Sequence, residues 1–71
     1  MTKAELVEQT KQFCTKNSLK FLDAIQIGRD VLLIIHGDKS AKLLDEFLAN
    51  LNLKHSTSTV IADGVGSYVT L

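Results

Sequence analysis

The chain of 71 residues contains no proline, one cysteine and one arginine, and its eight Lys and Arg are balanced by eight Asp and Glu. Each shortage excludes something. A lone thiol, Cys14, closes no intrachain disulfide, and small secreted domains commonly depend on several, so the composition points to a reducing, cytoplasmic setting. A net charge of zero supplies no overall field to draw in nucleic acid or an anionic membrane. The longest unbroken aliphatic run, Val31 to Ile35, is far short of the roughly 18 residues that suggest a membrane span. The opening Met-Thr-Lys-Ala-Glu has no apolar segment of the kind a signal peptide needs. With 45% hydrophobic residues and no low-complexity stretch, residues 1–71 read as one folded domain. Its core must be thin, because a domain of about 60 residues buries only about 60% of its chain's surface.

What is present falls into helical and extended segments. Thr2 and Glu5 fit a capping box, and Leu6, Val7, Thr10, Phe13, Cys14 and Asn17 then recur at three- and four-residue spacing, which predicts an amphipathic helix ending at Asn17-Ser18. From Leu19 to Ile27 the period drops to two. Leu19, Phe21, Ile25 and Ile27 take one face, Lys20, Leu22, Ala24 and Gln26 the other, and Asp23 marks a bulge, an edge or a satisfied inward carboxylate. Gly28-Arg29 makes a two-residue turn, after which Val31 to His36 return antiparallel. Leu32 and Ile34 then join Ile25 and Ile27, while Val31, Leu33 and Ile35 join Leu22 and Ala24.

Asp38 or Ser40 is expected to cap a second helix bearing Ala41, Leu44, Leu48 and Leu51, closed by Asn50 to Asn52. Asp63-Gly64 is the strongest hairpin signal, joining strands at His55 to Ala62 and Val65 to Leu71. Pairing through it places Val60, Ala62, Val65, Val69 and Leu71 on one face. His55, Thr57, Thr59, Ile61, Tyr68 and Thr70 take the other. The expected class is α+β, order αββαββ, with a four-stranded, largely antiparallel sheet and both helices on one face; the alternative has one helix on each face.

The first hairpin is aliphatic on both sides, and its covering decides where the chain meets a partner. If both helices sit over Ile25 and Ile27, then Leu22, Ala24, Val31, Leu33 and Ile35 face outward, with Ile61 and Tyr68 extending the patch. Burying a large aliphatic side chain is worth about 1.5 to 3 kcal/mol, so four of them rival the roughly 4 to 10 kcal/mol expected for the whole domain. Such a patch marks a contact with another chain, a second copy or a protein target. The final strand, free of proline and lysine from Ser67 to Leu71, offers a sheet edge as a second route unless it is a central strand.

Chemistry is thinly represented. In Ile35-His36-Gly37-Asp38-Lys39-Ser40, Asp38 separates glycine from lysine and Leu32 stands where a phosphate loop needs its first glycine, so Gly37 reads as a turn residue. His36 and His55 lack companions at metal-ligand spacing, Cys14 lies on the apolar stripe of its helix, and Ser56 and Ser58 lack a fixed base. No enzyme, cofactor or metal is expected. The residues describe a small protein-binding or regulatory module, an inhibitor or adaptor, acting through its sheet face or edge as a homodimer. A ligand held between protomers is a further possibility. The reading of a different class is a nucleic-acid binder using Lys11, Lys16, Lys20, Lys39, Lys42 and Lys54.

Overall fold

The computed structural model describes the backbone of residues 1–61 and 64–71 and the side chains of residues 1–58 and 64–71. Six elements follow one another: α1 (Lys3–Lys16), β1 (Lys20–Ile27), β2 (Asp30–His36), α2 (Ser40–Asn50), β3 (Lys54–Ile61) and β4 (Gly64–Thr70). The α+β order αββαββ is the one the periodicities predict. All three strand pairings are antiparallel, and the sheet order is β1-β2-β4-β3. β4 therefore fills the gap that the β2–α2–β3 crossover leaves. The final strand is central and paired on both sides, which decides for the second of its two expected placements and against a free edge; the edges are β1 and β3.

Local chemistry sets the element ends. At α1 the Glu5 amide donates to Thr2 Oγ1 at 3.2 Å and the Thr2 amide to Glu5 Oε1 at 3.0 Å, closing the capping box. Ser18 rather than Asn17 takes the left-handed conformation after α1 (φ 58°), and the Asn17 side chain donates to the Phe13 carbonyl at 2.9 Å. The first hairpin turns at Gly28-Arg29 with Ile27 opposite Asp30 and positive φ at Gly28 alone, the pattern of a type II′ turn. α2 corrects the capping expectation: neither Asp38 nor Ser40 supplies a cap, and its N-cap is Lys39 at φ 58° with no side-chain hydrogen bond. Gly37 has to be glycine, because at φ 145° an added Cβ meets Leu19 Cδ2 at 2.5 Å.

One buried cluster holds the molecule together. Leu6 and Cys14 of α1 and Leu44 and Leu48 of α2 join Leu19, Val31, Leu33, Ile35, Val65 and Val69. At its margin Phe13 of α1 stacks on Phe47 of α2, with ring centroids 4.4 Å apart. The alternation of β2 thus puts Val31, Leu33 and Ile35 inside the monomer, fully buried. This overturns the outward placement of those three residues.

Two irregularities settle which side of each strand faces the cluster. In β1 the register shifts between Phe21 and Asp23, so Phe21 lies opposite Ile35 and Ala24 opposite Leu33, on the cluster side, while Leu22 is passed over. In β3 a second shift lies between Thr59 and Ile61. His55, Thr57 and Thr59 consequently pair with Val69, Ser67 and Val65, and Tyr68 pairs with Ser56. The expected grouping of His55 and Thr57 with Tyr68 is therefore wrong by one residue of register, which transfers a strand to its other face. Asp63, Ala62 and the side chain of Val60 lie outside the described residues.

Candidate interaction surface

The side of the sheet turned away from the cluster is built from the intervening positions. Along β2 these are Asp30, Leu32, Ile34 and His36; the pairings add Ile27, Ile25 and Asp23 of β1, Tyr68, Gly66 and Thr70 of β4, and Lys54, Ser56 and Ser58 of β3. Ile25, Ile27 and Tyr68 on this side, and Leu22 at the bulge, are 41 to 46% exposed. Leu32 and Ile34 between them are half-buried by their neighbours. An apolar strip therefore runs along β1 and β2 and continues to Tyr68, bordered on β3 by hydroxyls. This strip is the candidate interaction surface.

Of the residues expected to meet a partner, Val31, Leu33 and Ile35 are fully buried and Ala24 is half-buried on the cluster side. They are core residues. Leu22 and Tyr68 are exposed. The side chain of Ile61 lies outside the described residues. Sequence reading missed Ile25, Ile27, Leu32 and Ile34 as the outward set, although it placed them together on one face. No residue type distinguishes that set from Val31, Leu33 and Ile35, because both sides of β2 are aliphatic.

The polar groups on the cluster side form a connected set joining α2 to the sheet. Thr57 Oγ1 lies 2.6 Å from Asp45 Oδ1 and 2.9 Å from Ser67 Oγ, and Ser67 is fully buried. A carboxylate only accepts, so the Thr57 hydroxyl donates to Asp45 and the Ser67 hydroxyl donates to Thr57. His55 Nδ1 lies 2.9 Å from the Leu53 carbonyl, which requires a proton on that nitrogen, while Nε2 faces Asp45 Oδ1 at 3.3 Å. The carboxylate sits between imidazole and hydroxyl, which is not the hydroxyl–imidazole–carboxylate order of a hydrolytic triad. Ser56 and Ser58 alternate away from His55 onto the other side. The set is a tether for β3.

Remaining candidates are dispersed. Cys14 is buried, and that burial pushes its thiol pKa up, the opposite of an activated nucleophile. Among the described residues no group of three His, Cys, Asp or Glu is placed to hold a metal. All six of the candidate lysines are exposed, but they do not converge. Lys20 stands opposite His36 at one end of the sheet, near the start of α2 that carries Lys39 and Lys42; Lys54 stands opposite Thr70 at the other end. Lys16 closes α1, and Lys11 holds its ammonium 5.6 Å over the Phe21 ring. No helix among the described residues is long and apolar enough to cross a membrane. No family model, no curated protein and no solved structure matches the chain.

Proposed function

We propose that this chain is a non-catalytic association module whose open sheet face receives a second copy of itself. The observation that carries the reading is the strip of Ile25, Ile27, Leu32, Ile34 and Tyr68 on the side of the sheet that the buried cluster leaves bare.

Self-complementarity favours a second copy over a different partner. A two-fold axis lying in the sheet plane, across the strands at the level of Leu33 and Thr57, stacks each strand on its own copy with the ends reversed. Leu32 then meets Ile34, Tyr68 meets Gly66, Ser56 meets Ser58, Asp30 meets His36, Ile25 meets Asp23 and Ile27 meets Lys20. Apolar ground covers apolar ground on β2, hydroxyls cover hydroxyls on β3, and no charge faces its own copy. Regulation follows from mass action, since any target that needs the same face competes with the second copy for it.

Sedimentation equilibrium on the wild type and on Ile27→Lys tests the reading. Ile27 is already largely exposed, so the lysine leaves the fold intact while setting its charge against Lys20 of the second copy. The expected result is a concentration-dependent assembly in the wild type, weakened at least tenfold in the variant at unchanged thermal stability. A wild type that stays monomeric at several hundred micromolar overturns the proposal.

A further inference from the structure

We infer that β3 is a second self-contact, pairing antiparallel with β3 of another copy so that two four-stranded sheets become one of eight. The inference goes beyond the face contact but shares its symmetry, and its test separates the two.

The two sheet edges are not alike. At β1 the ladder is broken by the bulge at Leu22, the outlying Ala24 amide is taken at 2.8 Å by the Asp23 carboxylate, and the Gln26 side chain donates to the Gly28 carbonyl at 2.9 Å. A bulge and inward-folded polar side chains are the devices by which sheets refuse another strand. β3 has neither along Lys54 to Thr59, where its pairing with β4 runs without a break. That stretch contains no proline or glycine and a single charge, Lys54. It is also held straight from the cluster side by the Asp45, Thr57 and Ser67 tether, so little order is left to lose on pairing.

The sequence supplies a self-complementary register. His55-Ser56-Thr57-Ser58-Thr59 reads nearly the same in both directions, and antiparallel pairing centred on Thr57 sets Ser56 opposite Ser58 and His55 opposite Thr59. Lys54 then falls opposite Val60 rather than another lysine. An axis normal to the sheet at Thr57 keeps both open faces on the same side and lies level with the face axis. The two axes therefore intersect, and the assembly closes as a tetramer with two-fold symmetries rather than growing into a fibre. α2 contacts β3 more than β4, which leaves the two copies of α2 roughly 8 to 10 Å apart over the joined sheet, the spacing at which helices pack on each other.

Area gives the independent reason for two contacts. Four strands of about seven residues make a footprint of about 440 Å², well under the roughly 800 Å² per partner of a standard stable interface. Joining two sheets doubles the apolar face offered to the opposite pair.

The test is a disulfide trap in the Ile27→Lys background, where the face contact is removed. Ser56→Cys and Ser58→Cys chains are mixed in equal amounts, and each is also oxidised alone. Directly opposite residues in an antiparallel pair have Cα atoms about 4.5 to 5.5 Å apart, within disulfide range, whereas facing sheets stand about 10 Å apart. The expected result is a covalent dimer in the mixture, at least tenfold more abundant than in either chain alone, and reversed by reductant. Equal cross-linking in all three samples, or none in the mixture, overturns the edge contact. Either failure leaves the face contact standing if wild-type assembly remains sensitive to Ile27→Lys.

Discussion

Leu33 and Ile25 sit one position off opposite each other in the first hairpin, are almost identical in hydrophobicity, and have opposite fates. Leu33 is fully buried among residues of both helices, and Ile25 is 41% exposed. Truncating a buried leucine costs its transfer free energy and leaves a cavity, so Leu33→Ala is expected to destabilise the monomer by about 2 to 5 kcal/mol. Ile25→Ala, measured at a concentration where the chain is monomeric, is expected to cost under about 1 kcal/mol. Urea unfolding of the two variants checks this, and equal losses contradict the assignment of faces. Sequence periodicity sorted these side chains correctly into two sets, Ile25 with Leu32 and Leu33 with Ala24. It did not say which set is inside, because both are aliphatic and β2 carries an apolar residue at every position from Val31 to Ile35.

At the scale of the element, the α1 terminus is the best-read feature of the chain, since the spacing of Thr2 and Glu5 specifies both hydrogen bonds of the capping box. The hydrogen bond from the Thr2 backbone amide, with a further contribution from its side chain, holds the Glu5 carboxyl below the usual carboxylate range. A lowered carboxyl stabilises the folded first turn above the ordinary carboxylate value, and that support is lost as the pH falls through the lowered one. The amides of Thr2 and Glu5 are therefore expected to shift together in an acid titration by NMR, with a midpoint below that of an ordinary glutamate. Glu5→Gln is expected to abolish the transition, and a midpoint at or above the ordinary value contradicts the cap's role. Elements whose geometry lies in the backbone were less legible. Lys39 at φ 58°, the bulge at Leu22 and the register shift before Ile61 arise from how strands must align over the helices, and residue type announces only the first bulge, through Asp23. The second shift is what turns His55 and Thr57 onto the cluster and Tyr68 away from it.

For the whole molecule, element order was readable from period and turn chemistry, but sheet order was not. Nothing in β4's sequence distinguishes a central strand from an edge; what makes it central is that the crossover through α2 leaves a vacant place beside β2. The same limit applies to the candidate surface. An apolar hairpin says that a thin domain has more greasy area than its helices can cover, and the packing of the helices then decides which residues stay exposed. Leu22 and Tyr68 are exposed, but through the register shifts of β1 and β3 and not through the face they were expected to share with Val31, Leu33 and Ile35. Val31, Leu33 and Ile35 were misplaced because the two sides of β2 are chemically equivalent.

The most direct measurement of the central claim is the concentration dependence of side-chain NMR signals between about ten micromolar and one millimolar. The expected result is that signals of Ile25, Ile27, Leu32, Ile34 and Tyr68 move together along one binding isotherm while those of Leu44 and Leu48 stay fixed. Stationary signals on the open face across that range, or movement confined to the helices, contradict it.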